Sequence, residues 1–389
     1  MLSSPLPLQG MLITLLIGSF FVTALGSADP WWRPKEWFVF LMGAIWLICR
    51  PLIRVPGVPP RATFFLIPFL TWTVIQTFLI HVLPILQAKG AYVSIPWVWL
   101  TLLHLILLWV WFLDICNIFT DKNFRPIWWA SVAIGTVLSI LMLLQVVGAD
   151  PVVWLLQRRH GSITWLSSNH VIGLMGNPFQ AGACLAVLIP IMAGLGLWVP
   201  LALAALALLA TQSASAVLAG LIGVLVSLWL SGRRLVCGLV GGIALLRLVT
   251  LHGTDFFSLS GRFPIWIKSA ELWREKFLLK GTGLGTYKLL GITAQVSNPG
   301  APPNVVRWAH NEWLQVGMET GLIGLILLLT ALISILILAY RRRVLRPEAS
   351  GILAAGAILS VSSIPFHLAP TAVTLLLALA AVIVSLKEA

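Results

Sequence analysis

Residues 308–340 read WAHNEWLQVGMETGLIGLILLLTALISILILAY. A polar start with one histidine leads into an apolar run, and a helix of ~20 such residues crosses ~30 Å of hydrocarbon. Glycine recurs in the first half of the run, at 317, 321 and 324. At about 100° per residue, His310 falls on the same helical face as these glycines, which predicts an imidazole above a smooth groove at a membrane surface. A simpler interpretation is that His310 and Asn311 only start a helix and that the glycines only allow close helix packing.

The composition extends the membrane prediction to the whole chain. Of 389 residues, 59% are hydrophobic and 10% are charged, whereas soluble domains carry about 25% charged residues. The mean hydropathy is +0.99. These values exclude a soluble globular protein, and we expect an all-α integral membrane protein.

Twelve apolar runs approach the length that spans a bilayer, and we predict about 12 transmembrane helices with one large loop that contains short amphipathic helices. The chain then divides into an N-terminal transmembrane bundle at 1–251 with an outer segment at 149–176, the large loop at 252–310, and C-terminal transmembrane helices at 311–389. The predicted helices are residues 8–28, 36–53, 62–86, 95–119, 126–148, 177–195, 198–211, 213–230, 235–251, 311–340, 350–365 and 370–386.

The basic residues of the short loops predict the orientation. With both termini inside, twelve Lys and Arg residues lie in the inner short loops and five in the outer ones. This distribution agrees with the positive-inside rule. The net charge of +13 then follows largely from topology, so membrane lipids are expected partners and nucleic acid is not.

The large outer loop carries a surplus of basic residues. It holds seven Lys and Arg residues against three Asp and Glu residues, and a bound anion is the simplest explanation. The alternative is a solvated amphipathic helix at 262–277 that rests on the bilayer with its basic residues outward. The bound anion and the amphipathic helix are compatible if this helix places Arg262 at its first turn, beside the positive end of the helix dipole. Lys268 then lies further along the same helix.

A glycine-rich stretch follows the predicted amphipathic helix, Gly281-Thr282-Gly283-Leu284-Gly285-Thr286. The backbone N–H groups around Gly283 and Gly285 would form a nest for phosphate oxygens. No Lys-Ser/Thr pair follows, as a nucleotide P-loop requires. A simple glycine turn is the favoured alternative.

The outer segment before the sixth helix supplies further candidates, Arg158, Arg159 and His170. Apolar residues flank the two arginines, so anchoring at the membrane interface is an equal alternative for them. Asn177 before Pro178 predicts a helix start with the proline in the first turn.

The charged residues and cysteines inside the apolar runs are better explained by structural roles than by a catalytic or metal site. Glu319 lies within the helix after His310, and a buried pair with Arg247 would relieve both charges as a structural brace. Asp114 is expected to be solvated at the inner end of its helix. The four cysteines lie in predicted spans without CxxC spacing, so we predict packing roles, no disulfide framework and no metal site.

Three groups of residues together resemble the O-antigen ligase family, which includes O-antigen polymerase-like members. The resemblance covers roughly residues 170–340 and departs from the family pattern at His170, Phe179 and Leu325, where Arg, Asn and Thr are usual. The three groups are His310-Asn311 followed after nine residues by Gly321-Leu322-Ile323-Gly324; Ser260-Gly261-Arg262 with Trp266, leading to Gly281–Thr286; and Gly173–Pro178 with Ala181.

The resemblance implies a glycosyltransferase of the bacterial inner membrane whose large loop and active site face the periplasm and whose termini are cytoplasmic. It implies a glycan transferred from undecaprenyl diphosphate to an acceptor hydroxyl, with lipid A core as the acceptor of a ligase, and no cofactor. Arg262 would bind the diphosphate and His310 would accept the acceptor proton, with inversion at the anomeric carbon. Further substrate-binding residues would be Arg158, Arg159, His170, Asn177, Lys268, Gly283, Gly285 and Asn311.

The residues agree with metal-independent chemistry. Arginines neutralise a diphosphate leaving group through bidentate hydrogen bonds. The chain has no Asp-x-Asp pair, which counts against a metal-dependent glycosyltransferase site.

Four alternatives stay open at this point. The nearest is an O-antigen or exopolysaccharide polymerase of the same family, which differs in its acceptor. A peptidoglycan polymerase would rely on an outer-loop aspartate, for which Asp255 is the candidate in the large loop. A small-anion transporter or transport accessory would place charges near the midplane in repeated halves, and a lipid-carrier flippase would need a polar path through the bundle.

Overall fold

The computed structural model describes residues 6–22, 33–50, 60–77, 95–151, 171–251, 262–290, 292–294 and 304–389. Within these residues the protein is almost entirely helical, with one antiparallel pair of two-residue strands, β1 (Thr293–Ala294) and β2 (Asn304–Val305). The all-α class is therefore confirmed. The helices are α1 (Leu6–Phe21), α2 (Arg33–Cys49), α3 (Ile67–Thr77), α4 (Ile95–Ile118), α5 (Asp121–Val146), α6 (Pro178–Leu195), α7 (Trp198–Ala210), α8 (Ala214–Leu230), α9 (Arg234–Leu251), α10 (Phe263–Leu272), α11 (Glu312–Arg341), α12 (Pro347–Ser362) and α13 (Ala369–Glu388).

Each of the twelve predicted apolar runs overlaps one of these helices, and α10 is a short helix of the large loop. Among the described residues, α5, α6, α11 and α13 are long and apolar enough to span a membrane. Shorter apolar stretches lie in α1, α4, α7, α8 and α12. The presence of membrane-spanning helices is therefore supported, whereas the number of twelve spans stays a prediction.

Helix α6 forms the centre of the bundle. Its residues 181–193 are all buried, and α5, α7, α8, α12 and α13 pack around it. Small residues let α8 and α12 approach closely, because a Cβ atom on Gly223 would lie 2.7 Å from the carbonyl oxygen of Gly351. Ser227 reinforces this contact by donating to the carbonyl oxygen of Pro347 at 2.8 Å.

The carboxylate of Asp114 is buried, and the prediction that it is solvated was wrong. Its side chain is fully buried and accepts hydrogen bonds from Arg50 Nε at 2.9 Å and Trp46 Nε1 at 2.8 Å. The reason is tertiary, since the end of α2 lies beside the end of α4 and delivers a cation to the carboxylate.

Helix α11 begins at Glu312, after the capping residue Asn311, and so does not include His310. The Asn311 side chain accepts from Leu314 N at 3.0 Å and caps the helix, while His310 lies before the cap with a left-handed φ of 51°. The predicted common helical face of His310 and the glycines is therefore wrong, because helical phase does not continue through a capping residue. The direction of the His310 side chain is therefore set by its left-handed backbone and by the contacts of the neighbouring residues, and not by a helix.

Helix α11 is also interrupted at Gly321, which has φ 74° and ψ 173°. Backbone groups on both sides of the interruption bond to the segment after α10: Leu322 N donates to Leu278 O at 2.7 Å, and Thr282 N donates to Met318 O at 2.8 Å. Irregular backbone at membrane depth is tolerated where such bonds satisfy it. This contact docks the large loop onto α11.

Protein side chains and backbone fill the predicted groove along the glycines. A Cβ atom on Gly317 would lie 2.7 Å from the Trp273 ring, one on Gly321 would overlap the carbonyl of Leu279, and one on Gly324 would lie 3.0 Å from Trp72. The glycines therefore serve close packing, which is the simpler of the two sequence interpretations.

We expect Gly321→Ala to destabilise the protein by about 2 kcal/mol or more, because its backbone angles are almost restricted to glycine and its Cβ would overlap Leu279. Thermal unfolding in detergent measures the effect as a melting temperature lowered by several degrees. The matched control is Gly238→Ala in α9, where a Cβ would meet nothing within 4 Å; it should be neutral or slightly stabilising. Equal melting temperatures for both variants would disprove the role of the kink.

Candidate active site

Arg262 lies immediately before α10, at the end of the bundle that we call the loop end because residues 262–290 and 292–294 lie there. Its guanidinium donates to the carbonyl oxygen of Ser362 at the end of α12, and its Cζ lies 5.1 Å from the centroid of the Phe179 ring. In the described part of the chain, no carboxylate forms an ion pair with it. Burial lowers the pKa of Arg262, but an arginine in a protein keeps its charge. The site therefore contains a partly desolvated cation with spare hydrogen-bond donors.

The start of α6 brings Phe179 to Arg262. Asn177 caps the helix by accepting from Phe179 N at 2.8 Å, and Pro178 occupies the first turn. The predicted helix start is therefore confirmed. The Asn177 side chain is occupied as a cap, and its substrate-binding role stays a prediction.

His310 lies within electrostatic range of Arg262. Burial, followed by the positive charge of Arg262, lowers the pKa of His310 to about 4. The imidazole is therefore neutral at pH 7 and has a ring nitrogen able to accept a proton. Helix α10 also fixes the chain next to it, because Trp266 Nε1 donates to Ala309 O at 2.9 Å.

A buried polar network holds the chain on both sides of His310. Ala309 N donates to Gln315 Oε1 at 3.1 Å, and Gln315 Nε2 donates to Glu319 Oε1 at 3.4 Å. The same amide group lies against the His367 ring. His367 belongs to the connection between α12 and α13. Its ring centroid lies 4.8 Å from that of Trp308. The left-handed backbone of His310 is thus fixed by contacts of its neighbours.

The pair Glu312 and His367 is the electrostatic centre of this network. His367 Nδ1 lies 2.9 Å from Glu312 Oε1, and Phe366 N donates to Glu312 Oε2 at 3.3 Å. Burial acts to lower the pKa of His367, but the Glu312 carboxylate outweighs it, with smaller contributions from Glu319 and Glu36, and raises the pKa to about 9. The fully buried Glu312 therefore faces a cationic partner at neutral pH.

Sequence reasoning missed Glu312, Gln315 and His367. Their contacts join residues more than fifty positions apart, and spacing along the chain does not show such pairs. One feature of the sequence could have indicated the pair: Glu312 and His367 are ionisable residues at the ends of apolar helices, where a charge needs a partner.

The predicted phosphate nest is occupied by the protein itself. Gly283 N donates to Glu319 O at 2.8 Å, and Gly285 N and Tyr287 N donate to the Glu319 carboxylate at 2.9 and 3.2 Å. The phosphate-binding interpretation of Gly283 and Gly285 is therefore replaced by a structural turn. Glu319 is a brace, as expected, but its partner is this turn; the side chain of Arg247 lies outside the described residues.

The amphipathic helix predicted at 262–277 is present as α10 followed by a π-helical turn at Trp273–Phe277. It buries Ile265 and Ser269 and exposes Lys268 together with apolar side chains such as Ile267. Lys268 is thus on the exposed face. The remaining candidates Arg158, Arg159 and His170 lie outside the described residues.

The segment that contains these residues is similar to a known protein family. A family model described as O-antigen ligase matches residues 199–329, from α7 into α11, and so includes Arg262, His310 and Glu319. No curated protein matches the chain. The resemblance predicted from the sequence is confirmed over this segment: residues 199–329 are similar to the O-antigen ligase family.

Proposed function

We propose that the protein is a membrane glycosyltransferase that moves a glycan from undecaprenyl diphosphate to an acceptor hydroxyl, as an O-antigen ligase with lipid A core as its acceptor. The observation that carries the proposal is that the helix that Arg262 precedes is bonded to the chain beside His310, since Trp266 Nε1 donates to Ala309 O at 2.9 Å. This contact keeps the guanidinium within electrostatic range of the imidazole at the loop end. The family match supports the class of reaction, and the site supports the roles of the two residues.

Arg262 binds the diphosphate of the donor. Its present acceptor is the neutral carbonyl oxygen of Ser362, and a phosphate oxygen offers a stronger, charge-assisted bond. When the glycosidic bond breaks, negative charge develops on the diphosphate. A preorganised guanidinium in a partly desolvated site stabilises that charge without a metal ion.

His310 accepts the proton of the acceptor hydroxyl. The acceptor oxygen forms a bond to the anomeric carbon while the bond from that carbon to the diphosphate oxygen breaks, which inverts the configuration. The proton goes to His310 and the diphosphate leaves as an anion at Arg262. Bound diphosphate offsets the charge of Arg262, which is one cause of the low pKa of His310, so the base strengthens when the donor is in place.

The loop end faces the periplasm of the bacterial inner membrane in this proposal, and both termini are cytoplasmic. The opposite end of the bundle, the far end, carries clustered basic residues including Arg233, Arg341 and Arg346, as expected for the cytoplasmic side. Donor and acceptor lipids then meet at the outer leaflet, beside the exposed apolar side chains of α10.

We expect Arg262→Ala and His310→Ala to abolish transfer while the protein remains folded. Loss of a general base costs about 10²–10⁴-fold, and Arg262→Lys restores only part of the rate because lysine lacks the planar fork. The assay contains purified protein, undecaprenyl-diphosphate-linked glycan, lipid A core and a chelator, with products identified by mass.

Arg274→Ala is the matched control, because Arg274 is an exposed arginine of the same loop in the π-helical turn. It should transfer at the wild-type rate. Wild-type turnover in Arg262→Ala or His310→Ala would end the proposal. A product in which two carrier-linked glycans are joined would instead show a polymerase.

The pH dependence of kcat/KM should show an acidic limb near pH 4. Because the pKa of His310 is lowered to about 4, the free enzyme keeps its base above about pH 5 and loses it as the pH falls through 4. The acidic limb in kcat should lie at higher pH. Bound diphosphate offsets the positive charge of Arg262, and this raises the pKa of His310 in the complex. A kcat/KM limb at pH 6.5, the ordinary value of histidine, would contradict the lowered pKa of His310.

Acid unfolding needs a separate measurement in this experiment. The depressed pKa of His310 means that the unfolded chain binds a proton between pH 6.5 and 4 that the folded protein does not, so stability falls as the pH falls through this window. The melting temperature recorded at each pH separates that loss from loss of the base.

We expect Glu312→Gln and His367→Gln to lower kcat by up to about 10²-fold with little change in KM for the donor, because they loosen the chain around His310 while leaving Arg262 in place.

The ion pair of Glu312 and His367 also stabilises the fold below about pH 6.5, and this contribution is lost as the pH rises through 9. Both variants should lack that alkaline decrease in melting temperature. The control is the exposed Glu275→Gln; an unchanged kcat in Glu312→Gln would remove the positioning role.

A further inference from the structure

A cleft lies at the far end of the bundle, remote from Arg262 and His310. It has a volume of about 240 Å³ and lies between the 3-10 turn that precedes α3 (Arg61–Leu66), the end of α11 and the end of α13. No acidic residue of the described chain lines it. Its basic lining residues are Arg61, Arg342 and Lys387, and its apolar lining includes Leu338, Ile383 and Leu386.

The two arginines of the cleft are available to a ligand. Neither Arg61 nor Arg342 forms an ion pair with a carboxylate of the described residues, whereas Arg50 and Arg346 at the same end pair with Asp114 and with an aspartate at the start of α5. Both free arginines are exposed. Their guanidinium groups therefore present unused donors and positive charge at the rim.

Lys387 contributes charge but few donors. Its ammonium group donates to the carbonyl oxygens of Cys116, Asn117 and Phe119 at 3.1, 2.9 and 3.0 Å, where it covers the end of α4. All three of its N–H groups are used. A ligand would consequently bond to the arginines and receive only electrostatic stabilisation from the lysine.

The turn that contributes Arg61 to the cleft also carries exposed apolar side chains. Phe64 and Phe65 belong to the same 3-10 turn as Arg61 and are 47% and 43% exposed, and Ile67 at the start of α3 is 43% exposed. Exposed aromatic and aliphatic side chains in a membrane protein contact lipid chains. The cleft thus combines a cationic rim with an apolar floor and a surface suited to hydrocarbon.

We propose that this cleft binds the headgroup of an anionic phospholipid, with the phosphate at Arg61 and Arg342 and the acyl chains along Phe64 and Phe65. Basic pockets between transmembrane helices on the cytoplasmic side are typical headgroup sites. In this proposal the headgroup occupies the cleft of about 240 Å³, and the acyl chains lie outside it on the apolar surface. The bound lipid joins the 3-10 turn before α3 to the ends of α11 and α13 and stabilises their packing.

Titration of the purified full-length protein in neutral detergent with dioleoyl phosphatidylglycerol tests the proposal. The melting temperature should rise with lipid concentration, and native mass spectrometry should show retained lipid. Dioleoyl phosphatidylcholine should have little effect. Arg61→Gln and Arg342→Gln should each weaken binding about fivefold, and the double variant about 25-fold.

Arg341→Gln is the matched control, because it removes the same charge from the adjacent position of α11 outside the cleft. It should bind phosphatidylglycerol with wild-type affinity. An equal loss in Arg341→Gln would show a diffuse charge effect and overturn the site. An equal temperature shift with inorganic phosphate would show a free-phosphate site, and equal binding of phosphatidylcholine would show an apolar one; either result overturns the proposal. If the double variant is poorly folded, the two single variants decide.

Discussion

The interruption of α11 at Gly321 is the constraint on which the candidate active site depends. Backbone groups freed there bond to the segment after α10, and the Glu319 carboxylate binds the amides of Gly285 and Tyr287. Only a residue without a Cβ lets Leu279 approach so closely. This contact fixes the segment after α10 to α11. Helix α10 therefore has a defined position beside the start of α11, and Arg262 is brought to His310.

Two histidines at the loop end have opposite electrostatic surroundings, and this difference separates their roles. His310 is near the cation Arg262 and has a lowered pKa, whereas His367 faces the carboxylate of Glu312 and has a raised one. Environments that push pKa values apart are how proteins assign acid, base and structural roles to the same residue type. One imidazole is thus neutral and can take a proton, while the other is held as the cationic half of a buried pair.

The sequence predicted features that depend on local chemistry and missed those that depend on contacts between distant segments. Apolar runs predicted the helices, amphipathic spacing predicted α10, and Asn177 before Pro178 predicted the start of α6, because length, periodicity and capping are properties of short segments. The error at Asp114 came from a partner on another helix. His310 was assigned to a helical face because a capping residue at 311 was treated as part of the helix.

The two ends of α11 show why clustered positive charge has different consequences in one protein. On the loop side of Gly321 the helix is polar, with Glu312, Gln315 and Glu319 all buried and bonded to the loop. Beyond Gly321 it is apolar and partly exposed until it reaches Arg342. A cation beside a neutral imidazole and a fixed polar network favours chemistry on a diphosphate. A cation above an apolar floor, with lipid-facing aromatic residues nearby, favours holding a phosphate ester in place. If both proposals hold, the kink lets one helix serve both ends, because its short polar half is bonded to the loop while its longer half beyond Gly321 is apolar.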